Sequence, residues 1–382
     1  MTTPTVDTVS SADEFARLAG DWDALVRAMP RPSPFLLHAW LACWWRNYGD
    51  GATLCVRVAR RENRLVAAFP LYAHSQLGLT VGSFLGGRHS ALADLLVSPD
   101  EQDAVADDLA GSIVDIDVDY VDLYGLPKAG RLVRALDGEL GLIERVESPV
   151  LELGASWDDV YRSKTSSKTR NLHRRRRRQL SELGRLKVDV AREAEELVPA
   201  LEEAFRIHDL RWQGRPDGSD FASAVGRRFQ REAIVALAQS DVPRIVLLKL
   251  DGRAIAFHYY FALEGAMYVH RLGFDPSFAR YSPGLVNTLD TIETAADEGL
   301  TRVEFLGGAE RYKLELADRL DPLCQGIGLA RSPLARAVAA SQLAYIRLRL
   351  RLKQHDRLRR FYVDGMAPVR RLATESRKAV SA

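Results

Sequence analysis

The chain has 382 residues, 47% of them hydrophobic and 27% charged, which is the balance of a water-soluble globular protein too long for one ordinary core. The net charge of +2 hides a segregation: residues 331–382 hold 13 Arg and Lys against 3 Asp and Glu, a local +10, so residues 1–330 carry +2 − 10 = −8. Three scattered cysteines exclude a disulfide framework and suit a reducing cytoplasm, the start MTTPTVDTVSSADEF lacks the pattern of a signal peptide, and no apolar run reaches spanning length, so export and membrane spanning are not expected.

In chain order, SADEFARLAGDWDALVRAM (11–29) has the acidic start and apolar spacing of a helix, and PFLLHAWLACWW (34–45) reads as a core helix. LCVRVAR and RLVAAFPLYA, joined around Glu62 and Asn63, read as a β-hairpin. Strands follow at ADLLVS (93–98) and YVDLYGL (120–126) with a helix between them, and RVESPVLEL closes a first part near residue 153. The second part opens on one polar helical run, WDDVYRSKTSSKTRNLHRRRRRQLSELG, then a short strand LKVDVA and two helices (196–212 and 221–239) separated by GRPDGSD. A meander comes next: RIVLLKL, AIAFHYYFAL and AMYVHRLGF, turned at Asp251-Gly252 and Glu264-Gly265, acidic-Gly pairs suited to tight hairpins. NRLVAAFPLY and GRAIAFHYYF each place Arg before an apolar strand in the second arm of a hairpin, a faint echo between the two halves.

The junction FARYSPGL (278–285) joins the last meander strand to the helical run GLVNTLDTIETAADEG. Ser282 suits a helix N-cap and Pro283 the first helical position, while Gly284 leaves the backbone uncovered so that an anion can approach the N–H groups at the positive end of the helix. Arg280 stands just upstream, and the stretch Arg280, Tyr281, Ser282, Gly284 and Leu285 reads as a phosphate-holding turn.

A meander, a phosphate-friendly turn, a helix and a further strand together resemble the acetyl-CoA-binding half of the GNAT acyltransferases. The family's turn carries Gln or Arg, two residues, Gly, one residue, then Gly or Ala; RYSPGL keeps Arg280 and Gly284 and has Pro283 in place of the first Gly. HSALADLLV (89–97), HDLRW (208–212), LKLDGRAIAFHYYF (248–261), GFDPSFARYSPGL (273–285) and DEGLTRVEFLGGAERYKLELAD (297–318) resemble, in order over about 230 residues, the CelD/BcsL group of GNAT-like proteins, itself related to the Fem-type peptidyltransferases. That resemblance implies an α/β (α+β) fold of tandem GNAT-like domains with mixed central sheets flanked by helices. It divides the chain into 1–153, 154–320 with the donor turn, and a basic segment 321–382. It also implies acetyl-CoA or another acyl-CoA as donor, no metal, and an acceptor in envelope or exopolysaccharide metabolism.

The resemblance places Glu304 as general base or acceptor-orienting carboxylate, the alternative being an ion pair with Arg302 two positions away. Tyr312 stands where a GNAT tyrosine protonates the leaving thiolate, and Lys313 where a cation stabilises phosphate or oxyanion; the alternative for both is capping and surface charge. His270 and Arg271 end the last meander strand, and His270 is a candidate base, with His258 on the neighbouring strand weighed below it. Asp94, His89 and Trp212 complete the candidate acceptor contacts, Asp94 being equally a structural carboxylate at a strand start. No metal-ligand spacing occurs among the eight histidines.

Two basic stretches remain. RNLHRRRRRQ (170–179) is either a solvated helix beside acidic neighbours or a site for CoA, nucleotide or tRNA phosphates; with tRNA the donor would be an aminoacyl-tRNA, as in Fem-type enzymes. AYIRLRLRLKQHDRLRRFYVDG (344–365) alternates apolar and basic residues from Ile346 to Leu352, which predicts a strand or extended arm with flanks open to helix, packed on the acidic body or laid on an anionic membrane surface. A non-catalytic scaffold role is the reading from a different class.

Overall fold

The computed structural model describes residues 4–154, 156–212, 220–308 and 310–354. It has the mixed α/β architecture the sequence predicts, with helices flanking a seven-stranded sheet in the second half and four- and six-stranded sheets in the first. The meander forms as the turn chemistry dictates. Asp251 and Gly252 (φ 49° and 84°) and Glu264 and Gly265 (φ 45° and 72°) all take positive φ, the geometry of a two-residue hairpin turn that matches strand twist. The strands Pro243–Leu250, Arg253–Leu263 and Ala266–Phe274 pair antiparallel through these turns. Glu62 and Asn63, at φ 50° and 67°, turn the first-half hairpin Val56–Arg61 and Arg64–Phe69 in the same way.

The two halves repeat one motif. In the first, Leu79–Phe84 runs parallel to Tyr120–Pro127 in the register Val81↔Tyr120. In the second, Ala266–Phe274 runs parallel to Arg302–Glu304 in the register Ala266↔Arg302. Each pair follows a hairpin and is bridged by a helix, Asp103–Gly111 or Pro283–Asp297.

Strands are exchanged across the expected boundaries. RVESPVLEL is two strands broken at Ser148 (φ 44°): Leu140–Val146 stays with the first-half sheet, whereas Pro149–Glu152 pairs with Arg302–Glu304 of the second. In return Leu323–Gly328 enters the first-half sheet between Tyr120–Pro127 and Leu140–Val146. The halves are further locked by the segment 31–40, laid along the second sheet. Tyr268 donates its hydroxyl to Pro32 O, and Phe35 and Trp40, both fully buried, meet Phe261 edge-on at 5.6 Å each. Aromatic burial on this scale dominates the energetics of such a junction.

Two helical expectations change. The polar run 157–184 is two helices, Trp157–Lys164 and Ser167–Ser181, because Thr165 turns extended and Ser166 caps the second by accepting from Thr169 N (3.1 Å). The segment read as a period-two strand is instead part of a helix, Pro333–Gln354. Its buried or partly buried Ala335, Ala339, Leu343, Ile346 and Leu350 recur every three or four residues against the first-half sheet, a helical spacing that the short window 346–352 conceals. The remainder of the C-terminal basic stretch lies outside the described residues. No helix among the described residues is long and apolar enough to cross a membrane, and no group of three His, Cys, Asp or Glu side chains placed to hold a metal occurs among them.

Candidate functional site

The site begins as a gap between two parallel strands. Ala266–Phe274 pairs with Arg302–Glu304 over only three residues, Ala266↔Arg302 to Tyr268↔Glu304. Beyond Tyr268 the first strand continues to Phe274 while the second ends, so on that side the backbone groups of 269–274 have no partner strand among the described residues. On its other edge the strand bulges: Tyr259 pairs with Arg271 and Tyr260 with Val269, leaving His270 as an extra residue. A bulge turns the side chains of two successive residues to one face, and His270 and Arg271 both point to the junction of the halves.

The equivalent gap in the first half is closed by its own chain. Ala93 N donates to Gly125 O (3.0 Å), and a Cβ on Gly125 (φ 82°) would lie 2.8 Å from Ser90 O and 2.9 Å from Ala91 O. Segment 90–93 therefore fills the place that stands open in the second half.

At the mouth of the open gap lies the junction FARYSPGL. Pro276–Tyr281 forms a 3-10 turn capped by Asp275, which accepts from Ser277 N (3.0 Å) and pairs with Arg253 (2.8 Å). Ser282 precedes the helix Pro283–Asp297 as predicted, with Pro283 at its first position, but the N-cap prediction fails in its chemistry. Ser282 is left-handed (φ 53°, ψ 51°) and its hydroxyl caps nothing; its carbonyl instead accepts from Leu285 N (3.0 Å) and Val286 N (3.2 Å). No acceptor for the Gly284 N–H occurs among the described residues. A Cβ on Gly284 would sit 3.0 Å from the Phe274 ring, so glycine lets the helix start close to the strand end. Arg280 lies over the Tyr281 ring at 4.5 Å and donates to its hydroxyl.

The arginine helix runs beside this mouth. Leu180 of Ser167–Ser181 packs with Phe274, Phe278, Tyr281 and Val286. Of its run, Arg177 pairs with Asp290 and Arg178 with Glu182, while Arg174, Arg175 and Arg176 have no carboxylate partner among the described residues. His173 Nδ1 and the Tyr161 hydroxyl share a hydrogen bond (2.6 Å), and burial, then Arg176, lowers the pKa of His173.

Past the gap, the helix Arg311–Leu316 brings in Tyr312 and Lys313. The Tyr312 hydroxyl is buried beside Thr288, and burial raises its pKa above the ordinary phenol range, so it stays protonated. Lys313 is not a surface cation: it is 3% exposed, donates to Gly307 O (2.6 Å), pairs with Glu310 (2.8 Å), and so ties the Gly307-Gly308 turn. Burial and the nearby Lys313 lower the pKa of His258 to about 3, leaving it a neutral core ring.

Glu304 is fully buried and takes the ion-pair alternative in a wider form than the sequence suggests. Arg302 Nε lies 3.3 Å from Oε1, and Arg31, from 273 residues away, grips both oxygens, Nε to Oε1 at 3.1 Å and Nη2 to Oε2 at 2.6 Å. The carboxylate is thus held between two guanidinium groups from distant parts of the chain.

The junction face gathers His89, His270 and Arg271 around a residue that pattern reading missed, Asp220. Trp44 Nε1 donates to His89 Nδ1 (2.8 Å), which places the proton on Nε2, and that nitrogen donates to Asp220 Oδ1 (2.6 Å). Tyr48 stacks on the His89 ring at 4.5 Å. Arg271 Nη2 stands 3.7 Å from the other Asp220 oxygen. His270 lies 3.3 Å from Gln230 among Phe35, Trp40 and Tyr259; burial, then Arg271 and His89, push its pKa well below the ordinary value. Asp94 is elsewhere: buried, it accepts from Leu95, Arg131 and Leu132 N–H (2.8–2.9 Å) and fastens the helix Arg131–Ala135. Trp212 ends the helix Ala194–Trp212, 37% exposed, its ring 6.3 Å from His208.

Comparison with known proteins agrees with this geometry. Residues 167–314 match the family described as acetyltransferase (GNAT) domain. No curated protein matches by sequence. Among solved structures, FemX superposes with a TM-score of 0.59 at 11% identity, covering 88% of this chain and 100% of its own. The C-terminal domain of a putative lysylphosphatidylglycerol synthetase from Agrobacterium fabrum gives 0.52 at 12%, covering 86% and 95%. L-PGS from Bacillus licheniformis gives 0.50 at 11%, covering 79% and 91%. The chain thus has the tandem GNAT-like fold, with its acetyltransferase-type sequence match confined to the half whose gap is open.

Proposed function

We propose that the chain is an acyltransferase that takes its acyl group from an acyl-CoA in the second-half gap and passes it to an amine or hydroxyl presented at the junction face. The observation that carries this reading is the three-residue parallel pairing beside the His270 bulge, which leaves a backbone-lined slot open to the helix end at Gly284. The donor phosphates would meet the N–H groups at Gly284 and the guanidinium of Arg280, and the thioester would lie in the slot.

The acceptor attacks the thioester carbonyl directly, without a covalent enzyme intermediate; the three cysteines are buried thiols. Asp220, held by the Nε2–H of His89, takes the acceptor's proton as the new bond forms. As the carbon–sulfur bond breaks, the protonated Tyr312 hydroxyl gives its proton to the thiolate, leaving one acylated acceptor and free CoA thiol. Glu304 serves as the strut between halves and Lys313 as the brace of the Gly307 turn. The acceptor class is a sugar, amino-acid or envelope precursor, following the CelD/BcsL resemblance. Calorimetric titration with acetyl-CoA and longer acyl-CoAs, with Arg280→Ala as control, tests it: the parent should bind and the variant lose at least about tenfold.

A second reading changes the donor to aminoacyl-tRNA. Arg174, Arg175 and Arg176, on the helix beside the gap mouth and without a carboxylate partner among the described residues, favour it, as does the likeness to FemX. Absence of acyl-CoA binding together with steeply salt-dependent tRNA binding would select this donor.

A further inference from the structure

A cavity of about 580 Å³ lies where residues 29–36, 92–97 and 127–134 meet Asp321 and Pro322, and the reaction above does not use it; its lining residue Arg31 reaches out to Glu304, the end of the strand that borders the slot. Its wall is largely apolar, with Met29, Leu36, Leu92, Leu95 and Pro322 among the lining residues. Its charged groups are four cations, Arg31, Lys128, Arg131 and Arg134, and two carboxylates, Asp94 and Asp321. Most are already matched: Arg31 by Glu304, Lys128 by Glu144 (2.5 Å), Asp321 by Arg319 (3.1 Å), and Asp94 by three backbone N–H groups. Arg134 donates to Ala129 O and forms no ion pair within 4 Å among the described residues, its charge acting at longer range on the Asp94 carboxylate. Arg131 forms none either, and its Nη1 is buried with no hydrogen-bond partner. A buried guanidinium nitrogen without an acceptor costs free energy that an anion in the cavity would recover.

We propose that this cavity binds a small anion, a phosphate monoester or carboxylate, carried on an apolar body, with Arg131 and Arg134 holding the charged group. Two unmatched cations suit one such group rather than a polyphosphate, and the volume suits a ligand of modest size. The proposal is independent of the donor reading.

The test is calorimetric titration of the full chain with octyl phosphate, octanoate, octanol and inorganic phosphate. Octyl phosphate and octanoate should bind. Arg131→Gln should weaken them ~10- to 100-fold, Arg134→Gln should weaken them measurably, and Lys128→Gln, whose ammonium already has a partner, should change little. Arg134 is exposed, so its variant keeps the test valid if Arg131→Gln does not fold. Competition between octyl phosphate and phosphatidylglycerol vesicles would identify the ligand as a lipid headgroup; octyl phosphate binding without vesicle binding would identify a free metabolite, and both results uphold the site. Octanol binding as well as octyl phosphate, no binding of either anion at millimolar concentration, or anion binding indifferent to both arginine variants would overturn it.

Discussion

Replacing Arg31 by Met separates the two roles open to Glu304. In the folded chain both Glu304 oxygens are held by Arg31, at 3.1 and 2.6 Å, and the carboxylate has no exposure. Removing one partner of a buried ion pair costs about 3–5 kcal/mol, because the remaining charge is left without compensation. Here Arg302 stays 3.3 Å away and the Arg31 side chain is 19% exposed, so the cost belongs at or below the low end, ~2–3 kcal/mol. Glu304→Gln should cost a similar amount, and the double variant less than the sum, with a coupling of ~1.5–3 kcal/mol. Urea unfolding reads this as midpoints lowered by roughly 0.5–1 M for each single variant, m being at or above ~3 kcal/mol/M for a chain of this size. Turnover, measured well below the unfolding transition, should fall less than ~10-fold in Glu304→Gln. A single variant that unfolds with the parent, or a stable Glu304→Gln whose turnover drops ~10³-fold with donor affinity intact, would refute the strut and make Glu304 the base.

Asp220→Asn should lower turnover ~10²- to 10⁴-fold at unchanged donor affinity, and equal rates would remove Asp220 from proton transfer. His258 has a folded-state pKa of about 3, depressed from ~6.5 unfolded, so its contribution to stability is complete above ~6.5 and lost as pH falls toward 3, at up to ~1.4 kcal/mol per pH unit. His258→Phe should flatten the loss of stability between pH 6.5 and 4 in urea titrations; an unaltered acid limb would show that other groups set it. If tRNA is bound, changing Arg174, Arg175 and Arg176 together to Gln should lower the slope of log K against log salt by up to about 2, and an unchanged slope would place the contact elsewhere.

The elements most legible in the sequence were those whose signal is local. Asp251-Gly252 and Glu264-Gly265 fixed the meander because a two-residue hairpin needs the positive φ they supply. Pro283 and Gly284 marked the helix start for the same kind of reason. What stayed hidden depends on distance along the chain. Arg31 meets Glu304 across 273 residues and His89 meets Asp220 across 131, and neither pairing leaves a trace in spacing. Asp220 looked like one more polar residue of GRPDGSD, and Lys313, read as a cation for phosphate or oxyanion or else as surface charge, is buried under the Gly307 turn, which only the folded chain reveals. Ser148 broke what looked like one strand into two that serve different sheets. The helix Pro333–Gln354 was misread because Leu-Arg alternation over seven residues mimics a strand, whereas its buried positions recur at helical spacing only over a longer window.

Amide hydrogen exchange, followed with and without a saturating acyl-CoA, tests the central claim most directly. The account predicts new protection in 269–274 and at Gly284, where backbone donors face the open gap, and none in 85–95, where the first half is filled by its own chain. Protection in the first half with 269–286 unchanged would contradict it.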